Sequence, residues 1–417
     1  MSAVVQSVNG FLGRNRRKFY WLGGTASAGY MLIKYAQWKW SEYQQRRELE
    51  QTAKSNVKRR FEQNLQDCTF AVASLLPTLG EQLFEGLNVE LITAQLQQCR
   101  QAKNEAGRES PDGSVATSEE GSSSRKTKIE LWEELKILSF TRTISAVYLV
   151  TLLIVFTHLQ LNLLGRFFYL DSVVAFAPQV DDDADTPGVV VAAKKTVTDE
   201  TERKYLTFSW FVLNVGWKGC VERVRRAVGE VVGSMSLKEP ITYDVMLNII
   251  SQIRSQVEGD GFSEKVASYL LPEEGTEEEV LSASGGDDEE FTMDEELDVL
   301  LDETRDFVES TDFSHVLHSS LDEAFDLLAK QFRPTFITDQ HAHSSVTELA
   351  PGQQQLDVGP VNKGKTLLLA GAIPVVSRVA HSVLNGVPNI FLEALSAQPE
   401  LKAFSVVMYT GWEDRAP

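Results

Sequence analysis

Cysteine is scarce in this chain: Cys68, Cys99 and Cys220 are three thiols among 417 residues, widely spaced, with no CxxC and no histidine beside them. An odd number so placed excludes a disulfide framework and a structural zinc site, and suits reduced, structural thiols in a body facing the cytosol. Histidine is equally thin. His315 and His318 stand at helical spacing near Asp312, His341 and His343 sit in polar text, and His158 and His381 are isolated, so no HExxH frame or convergent metal set is present. No G-x-S-x-G, Cys-His arrangement or isolated carboxylate pair in an apolar frame appears either, so nothing argues for catalysis, a cofactor or a metal. Strict apolar alternation over five or more residues is rare, and no period of 20 to 50 residues recurs, which excludes a β-rich fold and a solenoid. Positive charge is in deficit: 40 Lys and Arg against 59 Asp and Glu leave a net charge of −19, a balance that repels phosphate backbones and excludes general nucleic-acid binding.

The average conceals a division. Residues 1–60 hold 12 basic and 3 acidic side chains, a surplus of +9, and the rest of the chain therefore carries −28. Arg14, Arg16, Arg17 and Lys18 precede the apolar stretch Phe19–Ala36, about 18 residues, enough for a thin or tilted membrane span. Tyr20, Trp21, Tyr30, Tyr35, Trp38 and Trp40 gather toward its ends, where amphipathic rings prefer the headgroup level, and Lys34 can snorkel outward. No small-residue cleavage site comes after it, so the segment is an anchor rather than a signal peptide. Basic residues flank both ends, and charge alone leaves its orientation open.

Beyond the anchor, apolar residues recur at three- and four-residue spacing, which predicts an all-α body. Helices are predicted from about Glu42 to Leu76, stopped by Pro77, and from Leu79 to Arg100 with a stripe at Leu83, Leu87, Leu91 and Leu96. A long helix is predicted next, from Lys128 to about Leu170. Its middle, Ile144–Leu164, is apolar enough to raise the alternative of a second span and a multi-span transporter component. His158, Gln160 and Asn162 favour instead a central helix wrapped by others. Further helices are predicted over Lys204–Met235, Ile241–Leu271, Leu297–Phe332, Thr366–Leu384 and Pro388–Tyr409. Low-complexity loops are expected at 102–127, 178–202, 273–296 and 338–363. Residues 273–298 carry 13 acidic side chains and no basic one.

One motif points elsewhere. Gly359–Thr366 (GPVNKGKT) matches G-x-x-x-x-G-K-[ST] letter for letter, which keeps a P-loop nucleotide hydrolase open as the least favoured alternative. A phosphate loop needs a buried strand before it and a helix N-terminus after it. Here QQQLDV precedes the motif, Pro374 interrupts the helix after it, and the match reads as coincidence.

Three stretches resemble a known family: RNRRKFYWLGGTASAGYMLIKYA, KRRFEQNLQDCTFAVASLLPTLGEQL at residues 58–83, and IELWEELKILSFTRTISAVYLVTLL at 129–153, with LQLNLLGRFFYL shortly after it. Together with a fainter echo in AGAIPVVSRVAHSVLN, they are similar to the peroxisomal biogenesis factor 3 family, in a fungal-type form. The resemblance implies a lumenal targeting segment at 1–18 built on Arg14, Arg16, Arg17 and Lys18, a single transmembrane helix at 19–38 in the peroxisomal membrane, with endoplasmic reticulum as a transit station, and a cytosolic helical bundle at 39–417 packed around the long central helix. It implies a docking receptor for the import chaperone peroxisomal biogenesis factor 19, whose N-terminal amphipathic helix would be held by Trp132, Leu131 and Lys128 with Leu96 from the preceding helix. Cargo membrane proteins would be met only indirectly, and partners in organelle inheritance or turnover would be additional.

Overall fold

The computed structural model describes residues 16–106, 127–176, 197–259, 261–285, 293–337, 364–385 and 388–410. The chain divides into two compact units, Met1–Gln63 and Asn64–Pro417. One helix, α1 (Arg16–Gly86), contributes to both. In the first unit Trp38, Trp40 and Tyr43 are 61, 69 and 58% exposed. Arg14 and the rest of residues 1–15 lie outside the described residues, and Arg16, Arg17 and Lys18 form the first turn of α1.

The second unit is all-α. After α2 (Val89–Ala106) comes the long α3 (Lys128–Phe176), then α4 (Asp199–Phe211), a π turn (Val212–Gly216) and α5 (Trp217–Val232). Next in the chain are α6 (Tyr243–Val257), α7 (Phe262–Leu270), α8 (Glu277–Ser284), α9 (Glu295–Glu309) and α10 (Thr311–Phe336). The closing helices are α11 (Leu369–Leu384), α12 (Ile390–Ala397) and α13 (Pro399–Thr410). A two-residue strand pair, Pro240–Ile241 (β1) against Leu367–Leu368 (β2), is antiparallel and ties the entry of α6 to the entry of α11.

Helix α3 is the axis of the bundle, with α2, α5, α10, α11 and α13 packed around it. It is long and apolar enough to cross a membrane, yet its most apolar stretch is 94% buried among the other helices. The polar residues that speak against a span are enclosed, and two of them are hydrogen-bonded: Gln160 donates to the Tyr205 carbonyl and accepts from Ser209 Oγ, and Asn162 accepts from Asn64 Nδ2 and donates to the His158 carbonyl. Three cations on α3 are buried as well. Lys136 Nζ donates to the carbonyls of Gly233 and Met235 just past the end of α5, where the helix dipole favours positive charge. Arg142 reaches Glu90 on α2, and Arg166 pairs with Glu303 on α9. Cations at three heights of one apolar helix bind it to three different neighbours.

Several predicted boundaries shift, each for a local reason. Pro77 does not stop α1, because Val72, Leu76, Leu79 and Leu83, all fully buried, hold the helix on the core on both sides of it. That burial outweighs the roughly 3 kcal/mol cost of an interior proline. The predicted Leu79–Arg100 helix is broken at Leu87–Asn88, where the Asn88 side chain accepts the Leu91 N–H at 2.8 Å, and Leu91 is left 57% exposed rather than joining the stripe. Ile241–Leu271 is two helices, separated at Gly261, whose φ of 74° requires glycine. Leu297–Phe332 is likewise two, because Ser310 ends α9 in extended backbone and its hydroxyl caps α10 through the Phe313 N–H. Pro388–Tyr409 divides at Gln398. The expected loops fall largely outside the described residues. Where they are described, Ala102–Ala106 is still helical, Asp199–Glu202 is already helical behind its Thr198 cap, and Glu277–Ser284 forms α8. Three glutamates in the first turn of α8 face its positive pole, Val280 and Leu281 are buried, and Glu277 pairs with Arg305.

Candidate functional site

Three separate parts of the chain meet at a groove of about 690 Å³. The first wall is α2, which presents Val89, Glu90, Thr93, Leu96 and Arg100 at helical spacing. The second is the start of α3. There Thr127 and Glu130 form a capping box, the Thr127 hydroxyl accepting the Glu130 N–H at 3.3 Å and the Glu130 carboxylate accepting the Thr127 N–H at 2.7 Å. With the first turn fixed, Lys128, Trp132, Leu135 and Ser139 fall on one face, separated by four, three and four residues. The third wall is α11, with Ile373, Pro374, Ser377, Arg378 and His381.

The floor is apolar and the rim is charged. Leu96 and Leu135 are buried at 8 and 5% exposure, and Trp132 is half-buried, packed against the core with one face left to the groove. Arg100, Lys128 and Arg378 stand on the rim. The single rim carboxylate among the described residues, Glu90, is occupied: Arg142 Nη1 donates to both of its oxygens at 2.9 and 2.8 Å, while Nη2 donates to Ser377 Oγ at 2.5 Å. Arg142 thus lies behind the groove and ties α2, α3 and α11 together, its guanidinium 5.0 Å from the Phe84 ring centre. Burial opposes charge on Glu90, but the Arg142 hydrogen bonds and its own backbone contact hold its carboxyl below the ordinary value. His381, tilted on Phe84 at 4.4 Å, is pushed down by burial and by Arg142 despite Glu90 at 3.8 Å. An apolar trough with spare positive charge is thereby set into a body that is strongly negative overall.

Of the four residues named from the sequence, the structure brings Trp132, Lys128 and Leu96 to this one groove. Leu131, 3% exposed, turns into the core cluster instead and is not part of the lining. The α11 wall was missed. Its Pro374, Arg378 and His381 recur at four and three residues on the side opposite the buried Val376, Val379 and Ala380, a pattern that marks an exposed face but not what the face adjoins. The nucleotide motif gains nothing. Residues 359–363 lie outside the described residues, the Lys365 amide is already donated to the Phe336 carbonyl at 2.7 Å, and the chain then enters β2 rather than a helix. Among the described residues no group of His, Cys, Asp or Glu is placed to hold a metal ion.

A family model named Peroxin-3 matches residues 10–119 and 104–411. The chain belongs to the Peroxin-3 family. It is 32% identical over 444 residues to peroxisomal biogenesis factor 3 of Yarrowia lipolytica, covering 97% of this chain and 99% of that one. It is 31% identical over 419 residues to peroxisomal biogenesis factor 3 of Homo sapiens, covering 97% of each. Peroxisomal membrane protein PEX3 of Komagataella phaffii is 31% identical over 280 residues, 61% of this chain and 60% of that one. As a Peroxin-3 protein the chain is a peroxisomal biogenesis factor acting in membrane-protein import at the peroxisomal membrane, and it is not an enzyme.

Proposed function

We propose that the groove between α2, α3 and α11 is the docking site for the N-terminal amphipathic helix of the import chaperone peroxisomal biogenesis factor 19. The observation that carries this reading is the position of Trp132: a large aromatic half-buried in an apolar floor, beside Leu96 and under Lys128, is the arrangement that anchors a helix in a groove. Residues 19–38 hold the receptor in the bilayer as a single span, residues 1–18 lie in the lumen with Arg14, Arg16, Arg17 and Lys18 in the targeting signal, and the body from residue 39 is cytosolic. A chaperone carrying a membrane-protein cargo is captured by burial of its apolar helix face on Trp132, Leu96 and Leu135, and the cargo's apolar span is released close to the membrane. No bond is made or broken.

The test is a calorimetric titration of the full chain in detergent micelles with the chaperone's N-terminal peptide. Trp132→Ala should weaken binding by about 2 kcal/mol or more, roughly thirtyfold, with the bundle still folded by circular dichroism. Unchanged affinity would remove the groove from the mechanism. Lys128→Glu should slow association and make the residual binding less salt-sensitive, as expected for a rim charge.

A further inference from the structure

The π turn between α4 and α5 opens a second apolar slot, of about 410 Å³, that shares no residue with the docking groove. Phe211, Leu271 and Val280 form its floor at 8, 3 and 7% exposure, Trp210 is half-buried at its side, and Val215 on the π turn stands out at 42% exposure. The wide turn is held where it is by close packing: a Cβ on Gly216 would come within 2.0 Å of the Tyr269 carbonyl oxygen. Widened helical turns of this kind interrupt the regular ladder and are concentrated at functional sites.

The rim of the slot has one sign. Glu273 and Glu279 line it, Glu274 and Glu278 are exposed beside them on the same turn and helix, and no basic side chain among the described residues lines it. Glu277, between them, is engaged by Arg305, whereas the other four make no ion pair among the described residues. We propose that this slot receives a short basic amphipathic helix of another protein, its apolar face on Trp210, Val215 and Val280 and its Lys or Arg side chains against Glu273 and Glu279. The wall formed by α8 is eight residues long, about 12 Å, which limits the contact to two or three turns of the partner. The charge preference is the reverse of the first groove, so the two surfaces select different helices.

The experiment uses the full chain in detergent micelles and two labelled 16-residue synthetic helices with the same leucine face, one with lysine and one with glutamate on the polar face, measured by fluorescence anisotropy. The lysine peptide should bind and the glutamate peptide should not. Val215→Asp, on the surface and safe for folding, should weaken the lysine peptide at least tenfold, and so should the pair Glu273→Lys and Glu279→Lys. The equally large charge change Glu393→Lys with Glu400→Lys should leave binding within twofold. The proposal is overturned by failure of the lysine peptide to bind, by equal loss in both charge-reversed pairs, which would mean general attraction to an acidic body, or by a concentration-dependent dimer that Val215→Asp abolishes, which would assign the slot to a second copy of the chain.

Discussion

His158 shows what a single side chain costs when a fold encloses it. It is 1% exposed at the middle of α3, and neither ring nitrogen finds a hydrogen-bond partner among the described residues. Burial pushes its imidazole down to about 4 from an ordinary 6.5, so between those values the unfolded chain takes up a proton that the folded one refuses. Stability attached to this residue is present above pH 6.5 and is lost on acidification. Going from pH 7 to pH 5 should lower the unfolding free energy by about 2 kcal/mol in denaturant titrations, and His158→Leu should flatten that part of the pH dependence. Arg142 is the opposite case, a buried cation that is compensated. Glu90→Ala would leave it with the Ser377 hydroxyl and the Phe84 ring but no counter-charge, and should cost about 2 kcal/mol of stability by the same measurement, less than for a fully enclosed pair because the Glu90 side chain keeps 59% exposure. At this scale Trp132 and Lys128, which line the groove, could be named from the sequence through the family resemblance at the L-W-E-E-L stretch, and Leu96 as the leucine expected from the preceding helix. Leu131 could not be separated from Trp132, since adjacent helical residues point about 100° apart and only the packed neighbours decide which one faces the core.

Helix existence and type were legible in the three- and four-residue apolar spacing, and the central place of α3 came from its unbroken apolar character together with His158, Gln160 and Asn162. Helix ends were not. Proline rules placed a stop at Pro77, yet that residue lies inside a helix, as do Pro334 and Pro374, because buried apolar stripes hold the backbone in place. The breaks that do occur are made by short polar caps, Asn88 and Ser310, and by Gly261, which look ordinary in a polar helical stretch. Two glycines separate these influences. Gly216→Ala should destabilise by at least about 2 kcal/mol, since a methyl group there collides with the Tyr269 backbone. Gly229→Ala, exposed within α5 with nothing within 4 Å of the new atom, should stabilise by up to about 1 kcal/mol. Thermal unfolding of the two variants side by side reads the difference directly.

The charge division of +9 and −28 runs along the chain near the place where its first compact unit ends, at Gln63. If residues 19–38 are the span, protease added to intact organelles should digest an epitope at the C-terminus while sparing one at the N-terminus, and detergent should expose both. A protected C-terminal epitope would reverse the orientation. The candidate groove was only partly legible at this scale, because its third wall comes from residues 373–381, far along the chain from Trp132 and brought there by tertiary packing alone.

That distance has a bearing on synthesis. Arg142 joins Glu90, 52 positions earlier, to Ser377, 235 positions later, so the groove has no third wall until residues 373–381 have left the ribosome. A chain cut short before residue 373 keeps only two of the groove's three walls. The groove is therefore completed only when its most distant wall packs against the other two.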